Sequence, residues 1–124
     1  VTFATDHPSM GAATKLEGEI KIGSGPVIVR GANVNPKVFE LLVKAAKEEK
    51  IPYQVNAEPR GTGTDANAIQ LTRAGVAAGL VGIPNRYMHS PCEICSLKDI
   101  ENTAKLLAAV AMRVTSRTNF VPYK

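Results

Sequence analysis

The sequence predicts an α/β fold, a mixed and mostly parallel sheet flanked by helices, from three observations. Strand-like and helix-like segments alternate from residue 26 to the end. Two of the helical segments carry amphipathic stripes with recognisable caps. Residues 76–83 form a nearly unbroken run of small apolar side chains, as expected of a strand covered on both faces.

In chain order, the apolar and β-branched residues 1–5 read as an interior strand, and residues 6–13 read as a loop. Residues 19–22 and 26–30 flank Gly23-Ser24-Gly25, which has the turn chemistry of a hairpin. Pro26 points to an edge position, because proline cannot donate to a ladder. The first helix has Asn35 as its cap and Pro36 at its first position, with Val38, Phe39, Leu41, Leu42, Ala45 and Ala46 at helical spacing until Pro52 ends it. Residues 53–57 alternate as a short strand, and the loop that follows is rich in Gly and Pro. A second helix begins at Thr64 or Asp65 and stops at Gly75. Ser96 and Asp99 have the spacing of a capping box, and the stripe Ile100, Leu106, Leu107, Val110 and Val114 makes a last helix. Residues from Ser116 onward read as a tail.

Composition narrows the function. The chain has 124 residues, 44% of them apolar and 21% charged, which suits one globular unit and not a disordered tail. Its net charge of +4 is scattered along the sequence, so the basic footprint of a nucleic-acid binder is weak. No apolar run approaches the roughly 20 residues that cross a bilayer, and a cytoplasmic location is the expectation. Two cysteines are too few for a disulfide framework. A chain that opens on Val1, inside a strand-like segment, is expected to be a piece of a longer one.

Three segments end a strand with polar residues: 5–8, 60–67 and 85–91. Ligands of α/β sheets usually bind at such strand ends, so the three are expected to line one pocket. His89 follows the most apolar segment by a few residues, where a sheet would fix its imidazole as a metal ligand needs, though a histidine with an ordinary hydrogen bond occupies such places as well. His89, Cys92 and Cys95, with His7 as a fourth, form one alternative, a structural zinc site. The competing reading makes the two cysteines small buried apolar groups. Gly61-Thr62-Gly63-Thr64-Asp65 places glycines before a helix start, where backbone N–H groups can hold an anion or a substrate carbonyl. It has neither the lysine of a P-loop nor the glycine pattern of a dinucleotide site.

Taken together, Val1-Thr2-Phe3-Ala4-Thr5-Asp6, Gly23-Ser24-Gly25-Pro26-Val27-Ile28, Gly63-Thr64-Asp65-Ala66-Asn67-Ala68-Ile69, Ile83-Pro84-Asn85-Arg86-Tyr87-Met88-His89-Ser90-Pro91 and Ser96-Leu97-Lys98-Asp99-Ile100-Glu101-Asn102 resemble one family, in its order and over nearly the whole chain. It is the family of glutamyl, deblocking and tetrahedral aminopeptidases, some of whose members have been labelled endoglucanases.

The resemblance implies a zinc-exopeptidase-like fold, with residues 1–124 as the C-terminal part of a metallopeptidase catalytic domain. It makes His89 a ligand of one of two neighbouring divalent ions, zinc or cobalt, and places Gly63, Thr64 and Asp65 at the substrate-binding rim. At Cys92 and Cys95 it implies apolar residues, in favour of the packing reading. The family's other metal ligands and its Glu-Glu pair would precede Val1, so no catalytic residue is assigned within this chain, and the 124 residues alone are not expected to hydrolyse peptides. The expected partners are short peptides, the upstream remainder of the domain, and further copies in a large homo-oligomer, a dodecamer among the forms; nucleic acid and membrane are not. A non-catalytic α/β binding module or subunit is the competing class, and the endoglucanase label a third. Arg60 and Arg86 are candidates to pair with an acidic substrate side chain.

Overall fold

The computed structural model describes residues 1–11, 14–15 and 18–122; the loop expected at 12 and 13 and the last two residues of the tail lie outside them. In chain order the elements are β1 (Thr2–Phe3), a 3-10 turn (Pro8–Met10), β2 (Val27–Gly31), α1 (Pro36–Glu48), β3 (Gln54–Glu58), α2 (Asp65–Ile69), β4 (Val81–Gly82), β5 (Pro84–Arg86), β6 (Ile94–Cys95) and α3 (Leu97–Arg113). This is the expected mixed α/β architecture. The strands form two sheets, β3-β2-β4 and β1-β5-β6. The β2–β3 and β1–β5 pairs are parallel, and the β2–β4 and β5–β6 pairs antiparallel. Ile83 alone separates β4 from β5, so one stretch of chain pairs first with β2 and then with β1.

The core lies between the β3-β2-β4 sheet and the two long helices. Ile28 in the central strand packs with Leu42, Ala45 and Ala46 of α1, with Ile51 and with Leu106 of α3. Ala45 and Ala46 are fully buried, and their small side chains let α1 approach its neighbours closely. Ile28 and Leu106, also fully buried, each contribute about 1.5–3 kcal/mol relative to exposure. Asn35 caps α1 as expected, its Oδ1 accepting the Lys37 and Val38 N–H groups at 2.9 and 3.2 Å. The helix stops at Glu48, ahead of Lys50 with its positive φ of 54°, rather than at Pro52. No helix among the described residues is long and apolar enough to cross a membrane.

Several local expectations are corrected. Residues 19–22 form no strand, so there is no hairpin around Gly23-Ser24-Gly25. A distant carboxylate organises that segment: Asp99, fully buried, accepts the Gly23 N–H at 2.7 Å and the Gly25 N–H at 2.8 Å. Gly25 has φ +94°, and a Cβ there would strike the Pro52 carbonyl. Asp99 is therefore no capping-box partner; Ser96 makes no side-chain cap bond either. Pro26 sits at the entrance of the central strand β2, not at an edge, and its carbonyl accepts the Gln54 N–H at 2.9 Å.

In residues 76–83 only Val81–Gly82 joins a ladder, although Leu80 and Ala78 accept backbone bonds from Val29 and Asn35. Val76 is 46% exposed and the run is covered only in places, by Val38 and Leu42 of α1 at Gly79 and by Thr2 of β1 at Gly82. Helix α2 ends at Ile69, not Gly75; it buries none of its residues, and a helix without a packed face gains little beyond its own weak propensity. The segment after Ser116 is anchored through the Phe120 carbonyl, which accepts the Asn35 Nδ2–H at 2.9 Å.

Candidate functional site

Because β1 and β5 run parallel, with Thr2 opposite Pro84 and Phe3 opposite Asn85, their C-terminal ends emerge at the same sheet edge. The last residue of β5 meets there a residue just beyond β1. Arg86 donates from Nε to Asp6 Oδ1 at 2.9 Å and from Nη2 to Asp6 Oδ2 at 2.7 Å. This two-pronged geometry matches a guanidinium to a carboxylate. Asp6 Oδ2 also accepts the Ile22 N–H at 3.1 Å. The hydrogen bond from Arg86, opposed by burial, holds the Asp6 carboxyl below its usual range, and Asp6 in turn pushes the Arg86 guanidinium up. Arg86 is thus committed within the protein and not free for an acidic substrate side chain; Arg60 is exposed.

Beyond Arg86 the chain turns sharply. Tyr87 and His89 have φ of 58° and 67°, a left-handed conformation that costs a non-glycine residue on the order of 1–3 kcal/mol and needs surrounding support. The Tyr87 ring lies 4.7 Å from that of His7, which shares a 2.8 Å hydrogen bond between Nδ1 and Ser9 Oγ. The exposed His89 imidazole stands edge-on to Phe3 of β1, with ring centroids 6.2 Å apart. The turn is closed by the Ser90 N–H to the Tyr87 carbonyl at 3.1 Å and by Glu93, whose Oε1 accepts the His89 backbone N–H at 2.7 Å. Glu93 Oε2 accepts Asn85 Nδ2–H, also at 2.7 Å. These two donors, the His89 amide first, hold the Glu93 carboxyl below the usual carboxylate range. Asn85 is buried in β5 and its Oδ1 has no partner.

The donor set fits a metal ion only in part. His89 offers an exposed imidazole on a turn fixed by its neighbours, which suits one nitrogen ligand. Among the described residues no group of three or more His, Cys, Asp and Glu side chains could hold an ion. Both carboxylates at this edge are already engaged, Asp6 by Arg86 and Glu93 by the turn. Cys92 and Cys95 are exposed free thiols, contrary to the expectation that they are buried apolar groups; Cys95 sits on the edge strand β6, where none of the described residues buries it.

The structure brings residues 5–8 and 85–91 together but not residues 60–67. Strands β2 and β3 run opposite to β4 and point away from the His89 edge, and the loop after β3 is tied to the exit of β2. There Asn33 Nδ2 donates to Thr62 Oγ1 at 2.9 Å, and Thr62 and Thr64 hydroxyls share a 2.7 Å bond. Gly63, Thr64 and Asp65 are exposed, and α2 after them is a helix of five residues. A cleft of about 1110 Å³ opens at that end, lined among others by Asn33, Asn35, Phe39, Gln70, Val76 and Phe120. It does not include His89; the chemistry at the other edge carries more weight than this concavity, which holds none of the candidate residues. Sequence reading did not anticipate Glu93 or the Asp6–Arg86 pair as supports of the turn; the only signal for Glu93 is its place four residues after His89.

The model of the M42 glutamyl aminopeptidase family matches residues 1–106. The chain is 47% identical over 110 residues to a lysyl aminopeptidase of Pyrococcus furiosus, covering 89% of this chain and 30% of that protein. Its structure is similar to a TET aminopeptidase from the archaeon Thaumarchaeota archaeon SCGC AB-539-E09, with a TM-score of 0.81 and 32% identity over 94% of this chain and 32% of the other. It is also similar to PhTET1-12s, a dodecamer, with a TM-score of 0.65 and 30% identity over 77% of this chain and 29% of that one. The chain therefore spans about a third or less of the proteins it matches.

Proposed function

This chain belongs to the M42 glutamyl aminopeptidase family, and we propose on that premise that the intact protein is a metal-dependent aminopeptidase releasing N-terminal residues from short peptides, with His89 as one metal ligand. The observation that carries the reading is the His89 turn: an exposed imidazole at the end of β5, beside β1, on a strained backbone held by Glu93 and by the Asp6–Arg86 pair. When bound, two divalent ions such as zinc or cobalt would polarise the scissile carbonyl and lower the pKa of a water. A neutral imidazole nitrogen of His89 would hold one of them. The other ligands and the general base belong, on the family resemblance, to the part of the domain that precedes Val1. Asp6 and Arg86 keep the exits of β1 and β5 in register, so that ligands placed on either strand keep a fixed separation. Substrate contacts from Gly63, Thr64 and Asp65 are part of the proposal; their support is the resemblance, since the geometry ties that loop to Asn33.

A homo-oligomer belongs to the same reading, supported by the dodecameric relative. The endoglucanase alternative has little to draw on here, because glycoside cleavage needs two available carboxylates facing one bond, and both carboxylates at this edge are engaged. The test is turnover of an aminoacyl chromogenic substrate by the intact protein, beside the same substrate acetylated at its amino group, before and after chelation and metal return. Metal-dependent turnover of the free-amine substrate alone is expected. No turnover with any metal would favour a non-catalytic module, and equal turnover of the blocked substrate would overturn the need for a free amino terminus and point to a deblocking activity.

A further inference from the structure

We propose that Glu93 is a positioning residue for His89: by accepting the His89 backbone N–H it fixes the turn and aims the imidazole at the metal. The inference rests on His89 being a ligand and extends it to a residue with no direct part in the chemistry. Glu93 lies on an exposed stretch of chain in which Ser90, Pro91 and Cys92 are also exposed, so packing contributes little to the shape of this turn. Polar contacts take its place. The carboxylate spans from buried Asn85 in β5, 2.7 Å from Oε2, to the His89 amide, 2.7 Å from Oε1. A rigid strand thus reaches across to the one backbone group whose position sets the imidazole. His89, with φ 67°, is in a conformation that a free loop would abandon for an extended one, and the short bond to Glu93 opposes that escape.

Two other roles for Glu93 fit less well. As a metal ligand it would have to share with the ion an oxygen that already accepts a charge-assisted hydrogen bond, from the His89 N–H or the Asn85 amide, and among the described residues no group of three or more ligating side chains surrounds it. As a partner of the imidazole ring it would accept from a ring nitrogen, but its bond to His89 goes to the backbone. What remains is orientation, the work that outer-shell partners do for metal ligands, where their loss costs roughly 10- to 100-fold in metal affinity or activity.

The test uses the intact protein loaded with cobalt, read by competition with a chelator and by the visible absorption of the bound ion. Glu93→Ala is expected to weaken one of the two cobalt positions by roughly 10- to 100-fold and to change its absorption, with the circular dichroism unchanged. Glu93→Gln keeps an oxygen for the His89 N–H, and Asn85 can turn its unpartnered Oδ1 towards the new amide, so binding within about threefold of the parent is expected. Should Glu93→Ala fail to fold, Glu93→Asp carries the test, because one methylene less cannot span both donors and must weaken the same position. Parent-like cobalt affinity in a folded Glu93→Ala or Glu93→Asp variant overturns the proposal, as does a Glu93→Gln variant as weak as Glu93→Ala. His89→Ala is measured alongside: if it loses cobalt while Glu93→Ala does not, the positioning role fails and the ligand reading stands. If His89→Ala keeps its cobalt, the ligand reading itself fails.

Discussion

Replacing Asp99 with alanine should destabilise the protein far more than its place on a helix surface pattern suggests. Its side chain is fully buried and accepts two backbone N–H groups, from Gly23 at 2.7 Å and Gly25 at 2.8 Å. Hydrogen bonds to a charged group contribute about 1.5–3 kcal/mol each, and a buried donor left without a partner costs about 1–3 kcal/mol. Against this stands the relief of no longer desolvating a carboxylate. The net loss for Asp99→Ala is about 2–4 kcal/mol. Asp99→Asn should cost about 1–2 kcal/mol, since its oxygen still accepts one N–H while its amide faces the other. Urea unfolding of the intact protein measures both, and the alanine variant should lower the midpoint by roughly 1 M for a slope of about 2–3 kcal/mol/M. A loss for Asp99→Ala below about 0.5 kcal/mol, the range of ordinary surface substitutions, would refute the view that this carboxylate holds the loop before β2.

Two further outcomes follow from the hydrogen bonds. The Asp6 carboxyl is held below its ordinary value of 3.8 in the folded state, so its contribution is complete above that pH and is lost as pH falls from there through the lowered folded value; Asp6→Asn should flatten the acid limb of stability against pH, and an unchanged limb would show that the Arg86 pair contributes nothing there. Asn35→Ala should cost about 1–2 kcal/mol as a lost helix cap, whereas Asn35→Asp keeps the cap to Lys37 and Val38 and loses only the donor to the Phe120 carbonyl, so thermal melts should rank Asp between wild type and Ala.

What the sequence made legible was local. Helix α1 was readable because its cap, its proline and its stripe lie within one segment, and α3 because Leu106 and Val110 repeat at helical spacing. Gly23-Ser24-Gly25 misled because a glycine turn has the same local chemistry whether it joins two strands or wraps a carboxylate 74–76 residues away. The apolar run 76–83 reads on composition as covered on both faces, but covering is a property of neighbours: α1 stands against it at Gly79 and Thr2 at Gly82, while Val76 is left 46% exposed. Cys92 and Cys95 differ from expectation for the same reason: free cysteine is usually buried, yet Cys95 lies on the edge strand β6 and Cys92 on the exposed turn before it. At the site, the metal reading of His89 came from its motif, while its supports at Asp6, Arg86 and Glu93 depend on how β1 and β5 align, which no spacing reveals.

The proposed function has His89 hold a metal ion in an aminopeptidase. It is tested most directly by metal content per subunit of the intact protein and its His89→Ala variant, from elemental analysis after equilibration with limiting zinc, together with turnover of an aminoacyl chromogenic substrate. Two ions per subunit are expected in the parent and one tightly held ion in the variant. Turnover should fall by more than the roughly 10- to 100-fold that loss of an outer-shell partner costs. A folded variant that retains both ions and the parent rate would contradict it.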